Sequence, residues 1–221
     1  MRKLHKIFLL TGALFLALLG FVAYKVFWDS ENTKQVFYPM SRQEKGLLRS
    51  GDIILRRGYG MFSDALISAQ DQRYPVSHCA MIIESNGKLS VAHALSSSVA
   101  PIDGAQEQPL QRFLNESVPN SVVVMRFKTS PDTIQRIVEA VKLYSDKHIP
   151  FDHNFDKSDT TKFYCTELFQ HCYKKVLGRD IFEAQLVGST SGVYDLSTFQ
   201  DSTLFYPIIN HNKKESLKKK N

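Results

Sequence analysis

The sequence predicts an α+β domain in which an antiparallel sheet packs against helices, with one apolar segment in front of it. Three observations lead there. Short apolar runs bounded by turn residues, at 53–56, 76–83 and 122–127, read as buried strands. Asn86-Gly87 is a strong hairpin signal, so the strand that follows it returns antiparallel. Two longer stretches, Pro131 to Lys147 and Thr160 to Gly178, carry apolar residues at helical spacing. Strands and helices in this mixture, without internal repeats, define the class.

Taken in order, residues 29–50 form a polar approach segment with a short helix around Ser41 to Leu48. Gly51-Asp52 turns into the strand ending at Arg56, and a helix covers Met61 to Ala69. Pro75 gives way to Val76-Ser77-His78-Cys79-Ala80-Met81-Ile82-Ile83, and Leu89 to Ala94 returns beside it. Residues 96–119 are polar and carry proline and glycine; they read as a long loop acting as a lid over a site. Ser130-Pro131 is a cap followed by proline at a helix start, and Ile134, Ile137, Val138, Val141 and Leu143 continue the stripe. In the last helix Asp159 or Thr160 is the expected cap, Leu168, Cys172 and Val176 the apolar face, and Gly178 the stop. Irregular segments follow to Ile209, and the charged tail 210–221 is read as disordered.

The net charge of +6 suggests an acidic partner only until the charges are located. Lysine and arginine crowd the two ends, and between Asp29 and Asn212 the balance is 19 basic to 21 acidic side chains. No basic stripe interleaved with aromatics crosses the body, so no nucleic-acid partner is expected.

Arg2, Lys3 and Lys6 precede an almost unbroken apolar run from Ile7 to Tyr24. Roughly 20 apolar residues span a bilayer, and signal-peptide cores are shorter. Phe21-Val22-Ala23 is a poor cleavage site, and no cysteine follows for lipoprotein processing. The expectation is an uncleaved signal anchor over 1–28, with a cleaved signal peptide as the alternative. Basic residues in front set the N-terminus inside. The body then faces the periplasm or an equivalent space, held at the inner membrane by a single pass.

Cys79, Cys165 and Cys172 are an odd set. Cys165 and Cys172 on one helix stand about 10 Å apart by rise, beyond disulfide reach. This is no disulfide scaffold. Cys165 falls in the first turn of its helix, where unpaired N–H groups and the helix dipole favour a thiolate. It reads as a nucleophile awaiting a base or as a small buried hydrophobe. Two histidines could supply the base and its orienting group. His78 lies early on its strand and His93 late on the returning one, roughly opposite across the hairpin. His78, Ala80 and Ile82 share one face, which puts Cys79 on the other, as core. His148, His153 and His171 read as surface or core. Asp152 and Asp156 read as turn and capping residues, since no calcium-loop pattern surrounds them. No His/Cys spacing makes a zinc site, and no cofactor or metal is expected.

Four stretches occur in a fixed order: Gly51-Asp52-Ile53-Ile54, Tyr74-Pro75-Val76-Ser77-His78-Cys79-Ala80-Met81-Ile82, Pro150-Phe151-Asp152-His153-Asn154-Phe155-Asp156 and Phe163-Tyr164-Cys165-Thr166-Glu167-Leu168. The series resembles the YiiX/YaeF-like permuted papain-fold hydrolases, relatives of the NlpC-type cell-wall peptidases, over roughly residues 51–206. The resemblance implies a circularly permuted papain-like fold in which the histidine strand precedes the cysteine helix, occupying 51–209. It implies Cys165 as nucleophile, His78 as general base and acid, and His93 as the orienting group. Members often carry Glu at that third position, so His93 is closer to the non-permuted triad. Glu84 competes for the role but falls at the hairpin end. Tyr164 and Ser77 are expected helpers around the oxyanion.

The expected function is a membrane-anchored extracytoplasmic cysteine hydrolase that cleaves an amide, such as one in a peptidoglycan peptide, through an acyl-enzyme. Alternatives are a thiol-dependent lipid acyl hydrolase or acyltransferase, and a non-catalytic module binding cell-envelope components.

Overall fold

In a computed structural model of the chain, residue 12 and residues 15–21, 37–182 and 193–212 are described. The chain separates into two units, Met1–Val36 and Phe37–Asn221. In the first, residues 15–21 are helical and exposed. No helix among the described residues is long and apolar enough to cross a membrane; the expected span, Ile7 to Tyr24, lies mostly outside them.

In the second unit the elements run α1 (Arg42–Lys45), β1 (Ile53–Arg56), α2 (Met61–Ala69), β2 (His78–Ser85), β3 (Lys88–Leu95), β4 (Gly104–Pro109), α3 (Leu110–Asn115), β5 (Val123–Phe127), α4 (Pro131–Asp146), α5 (Cys165–Leu177), a 3-10 turn (Leu196–Gln200) and β6 (Phe205–Asn210). The strands form one sheet in the order β4-β3-β2-β1-β5-β6, with every neighbouring pair antiparallel. Asn86 and Gly87 both take positive φ (53° and 71°), the conformation a two-residue hairpin of this hand demands.

Strand alternation divides the core into two layers. Ile53, Leu55, Cys79, Met81, Ala92, Val123 and Met125 face Ile137 and Val141 of α4 and Leu168, Phe169, Cys172 and Tyr173 of α5. Ile54, Ala80, Ile82, Val91 and Val124 face Leu110, Phe113 and Leu114 of α3, with Tyr38, Met40 and Leu48. The N-terminus of α4 follows expectation: Ser130 caps it, accepting the Thr133 N–H at 3.2 Å, with Pro131 in the first turn. Gly178 closes α5 in the left-handed conformation.

Four expectations need correction. Residues 96–119 are not a lid loop, because they hold β4 and α3, and Phe113 is fully buried beneath the sheet. Gly104 starts that strand with φ +90°, and a Cβ there would meet the Ile149 carbonyl oxygen at 2.1 Å. The approach segment joins the body from Phe37 on, since Tyr38, Met40 and Leu48 are buried. The stretch before Ile209, read as irregular, contains β6, and Asn210 belongs to it; the tail beyond 212 lies outside the described residues. Finally, α5 starts at Cys165 with Tyr164 at its cap position, while Asp159 caps a local turn by accepting the Thr161 N–H at 2.9 Å.

Candidate active site

Cys165 is the first residue of α5, so its sulfur sits among N–H groups that have no partner within the helix. It is half-buried, whereas Cys79 and Cys172 are buried. Its pKa is held below the ordinary thiol range, first by the adjacent Cys79 thiol, against the opposing effect of burial, then by the N–H groups of Thr166, Cys79 and Cys165 itself. Burial pushes the other two thiols up, Cys172 to about 12.

The two histidines meet as the hairpin predicts, although not squarely. Met81 pairs with Ala92, which puts His93 across from Ala80 and diagonal to His78. Their rings bond at 2.9 Å, His78 Nε2 to His93 Nδ1. Both stack around Phe113 of α3, with ring centroids 5.9 and 5.7 Å away. His93 Nε2 is buried without a partner, so His78 Nδ1 is the ring nitrogen left for chemistry. Among the described residues no hydrogen bond joins the His78 ring to Cys165. What links the two is the main chain, because Cys79, the residue after His78, belongs to the cluster against which Cys165 packs.

Sequence reasoning missed the cation beside this pair. Arg56 ends β1 opposite His78 in the sheet register and is buried. Its guanidinium lies 4.6 Å over the Phe113 ring, donates to the Glu116 carbonyl and pairs with the Glu116 carboxylate at 3.3 Å. Burial first, then Arg56, keeps both imidazoles neutral, His78 well below its usual value and His93 at about 3. The signal for Arg56 was a charged residue continuing the alternation of Ile54, a position that faces the core.

This has a consequence for stability. A histidine held neutral when folded takes up its proton on unfolding, so its contribution is complete above the unfolded pKa of about 6.5. It is lost as pH falls from there toward about 3 for His93. Ordinary carboxylates join only below about 4.5, and Glu167, raised to about 8, opposes the two histidines by one proton without cancelling them. Urea midpoints should therefore already fall between pH 6.5 and 4.5, and His93→Phe, which cannot titrate, should flatten that slope.

The expected helpers are engaged elsewhere. The Ser77 hydroxyl accepts the Gly58 N–H at 2.9 Å and bonds Ser63 at 2.6 Å, pinning α2 beside His78. The Tyr164 hydroxyl accepts the Tyr194 N–H at 2.8 Å, and its burial raises its pKa. Glu84 is exposed near the hairpin end. Asp152 accepts the N–H groups of Asn154 and Asp156, a turn role. His153 contacts Asp103, and His171 contacts Tyr144. Among the described residues no group of three or more His, Cys, Asp or Glu could hold a metal.

Glu167, two residues beyond Cys165, is buried and accepts only the Tyr164 N–H, at 3.3 Å, among its described hydrogen bonds. Burial first, then Asp152, Asp159 and Asp156, raises its pKa to about 8. It lines a cavity of about 240 Å³ with Phe163, Gln170, His171 and Tyr194, and Cys165 is not part of that wall. Its folded pKa lies above the unfolded one, so the native state holds an extra proton between about 4.5 and 8 and loses stability as pH rises through that window. Glu167→Gln keeps the acceptor for Tyr164 and should raise the thermal midpoint by several degrees at pH 8.5, with little change at pH 5.

A helix-start cysteine behind a strand-borne histidine pair, strand before helix, defines a permuted papain-like cysteine hydrolase. The chain belongs to the permuted papain-like amidase enzyme family, YaeF/YiiX, whose model matches residues 47–198. Among solved structures it is similar to a protein described as metalloprotein YiiX from Escherichia coli, at 20% identity and TM-score 0.58 over 73% of this chain and 97% of that one, a likeness of fold. Comparison with curated proteins finds no match.

Proposed function

We propose that this chain is a membrane-anchored cysteine amidase working outside the inner membrane on a peptide amide such as those of peptidoglycan. Membership of an amidase family supports the reaction class. The observation that carries the assignment of residues is Cys165 at the very start of α5, half-buried and packed against the cluster that holds Cys79, the residue after His78; its lowered pKa agrees with it. Cys165 attacks the carbonyl carbon, and His78 takes the thiol proton through Nδ1 as the bond forms, ring and sulfur closing to hydrogen-bond distance in the substrate complex. With both imidazoles neutral at rest, a standing thiolate–imidazolium pair is disfavoured and the proton moves during attack. His93 accepts the His78 Nε2–H and so fixes the base tautomer. N–H groups at the start of α5 stabilise the oxyanion. His78 then returns the proton to the leaving amine, and water releases the acyl group. The apolar run Ile7 to Tyr24 with basic residues in front supports the anchor and its orientation.

A second reading has one observation in its favour. Tyr59, Met61 and Phe62 at the start of α2 are exposed, Met61 and Phe62 by 59% and 62%. This helix is tied to Ser77 next to His78. An apolar lip at that place suits an acyl chain, hence a lipid acyl hydrolase or acyltransferase.

The deciding experiment is iodoacetamide labelling of the full chain across pH 4 to 9, located by mass spectrometry. Cys165 should reach its plateau below the ~8.5 midpoint of an ordinary cysteine, with Cys79 and Cys172 unlabelled, and His78→Ala should alter the profile. Labelling of Cys165 no faster than the buried pair, and indifferent to His78→Ala, would falsify the assignment. Turnover of fluorogenic peptide amides against acyl esters then separates the two substrate readings.

A further inference from the structure

Cys79 has no task in the hydrolytic mechanism, yet it belongs to the buried cluster against which Cys165 packs, and its thiol helps to lower the Cys165 pKa. It is fully buried on the face of β2 that meets α5. Cys165 is half-buried and Cys79 buried, so a small oxidant arriving from solvent meets Cys165 before Cys79. Cys172 cannot substitute for it. Two helical turns, about 10 Å, separate it from Cys165, beyond the span of a bridge.

We propose that Cys79 is the resolving thiol of Cys165, capturing the peroxide-oxidised nucleophile as an intramolecular disulfide that arrests the enzyme and shields it from further oxidation. In the first step the Cys165 thiolate attacks one oxygen of hydrogen peroxide and the O–O bond breaks. Hydroxide leaves, and sulfur becomes a sulfenic acid, oxidised by two electrons as the peroxide is reduced. In the second step the Cys79 sulfur attacks the Cys165 sulfur. The S–OH bond breaks, and the hydroxyl leaves as water with the Cys79 proton. An external dithiol reverses the bridge. The division of labour follows from the surroundings: the N–H-lined, accessible thiol reacts with the oxidant, and the buried one, held protonated, does not. Without a resolving partner the sulfenic acid proceeds to sulfinic and sulfonic acids, which a dithiol does not restore.

The readout is thiol chemistry rather than turnover, so this proposal can fail while the hydrolytic reading stands, and the reverse. The reduced full chain is treated with hydrogen peroxide, alkylated, and mapped by mass spectrometry without reduction. The expected product joins the Cys79 and Cys165 peptides, two hydrogens lighter than their sum. Iodoacetamide labelling of Cys165 should be lost and then restored to its starting level by dithiothreitol. In Cys79→Ala the same dose should carry Cys165 to sulfinic and sulfonic acids, with labelling not restored; Cys172→Ala should behave like the wild type. Sulfinic acid accumulating in the wild type as fast as in Cys79→Ala, or a bridge from Cys165 to any other partner, would overturn the proposal. The wild-type map alone decides it if Cys79→Ala does not fold.

Discussion

Cys165→Ala is expected to abolish amide hydrolysis, by on the order of 10⁴-fold or more, while leaving the fold intact. The size follows from the role proposed for it: without a nucleophile no acyl-enzyme forms, and only binding and the N–H groups at the helix start remain. The fold should survive because Cys165 is half-buried and alanine is a strong helix former at that position. Cys165→Ser should be nearly as inactive, since a hydroxyl in the same N–H cradle remains protonated at neutral pH. His78→Ala removes the base and should cost about 10²–10⁴-fold. His93→Ala acts through His78 and should cost less, with a pH profile that changes shape as well as height. Initial rates on fluorogenic peptide amides, with circular dichroism as the check on folding, measure all four. Cys165→Ala retaining wild-type activity would remove the nucleophile assignment whatever the family.

The framework of the site was readable because local chemistry dictated it. Asn86-Gly87 can hardly be anything but a two-residue turn, and once it is placed, β2 and β3 must pair and bring His78 near His93. Ser130-Pro131 and Gly178 bracket helices for equally local reasons. What escaped the sequence depends on partners far along the chain. β4 carries Gln106 and Gln108 at buried positions and β6 contains Pro207, so neither looks like a strand; both are edge strands, where polar residues and proline are tolerated. α3 is a single short helix whose Leu110, Phe113 and Leu114 make too brief a stripe to stand out. Strand alternation correctly put Cys79 on the face opposite His78. It could not say that α5 would dock on that face and pack Cys165 against the cluster that holds Cys79. Arg56 was missed for the same reason: its closeness to His78 is a matter of sheet register.

The largest loss of stability outside the core is expected at Asp52, from the Gly51-Asp52 turn that opens the resemblance to the family. Its carboxylate is buried and receives both the Nε and Nη2 of Arg126, at 2.7 and 2.8 Å, together with the Arg49 N–H at 2.8 Å. One residue thus ties the turn before β1 to β5, and Arg126 extends the tie to the Leu47 carbonyl at 2.8 Å. The pair holds Arg126 above the ordinary guanidinium value, first through these hydrogen bonds. Asp52→Ala leaves a largely buried cation and a buried N–H without their acceptor, a loss of about 3–5 kcal/mol when one member of a buried pair is removed. Because the Arg126 side chain keeps 17% of its exposure, part of that loss can be relieved by turning toward water, which favours the lower end. Asp52→Asn preserves an acceptor and should cost less, about 1–3 kcal/mol. The double variant Asp52→Ala with Arg126→Met removes charge and partner together and should recover much of the loss, so in a urea double-mutant cycle it should lose far less than the sum of the two single losses. Additive losses in that cycle would mean that the ion pair matters little, and that Asp52 is required only for the shape of the turn.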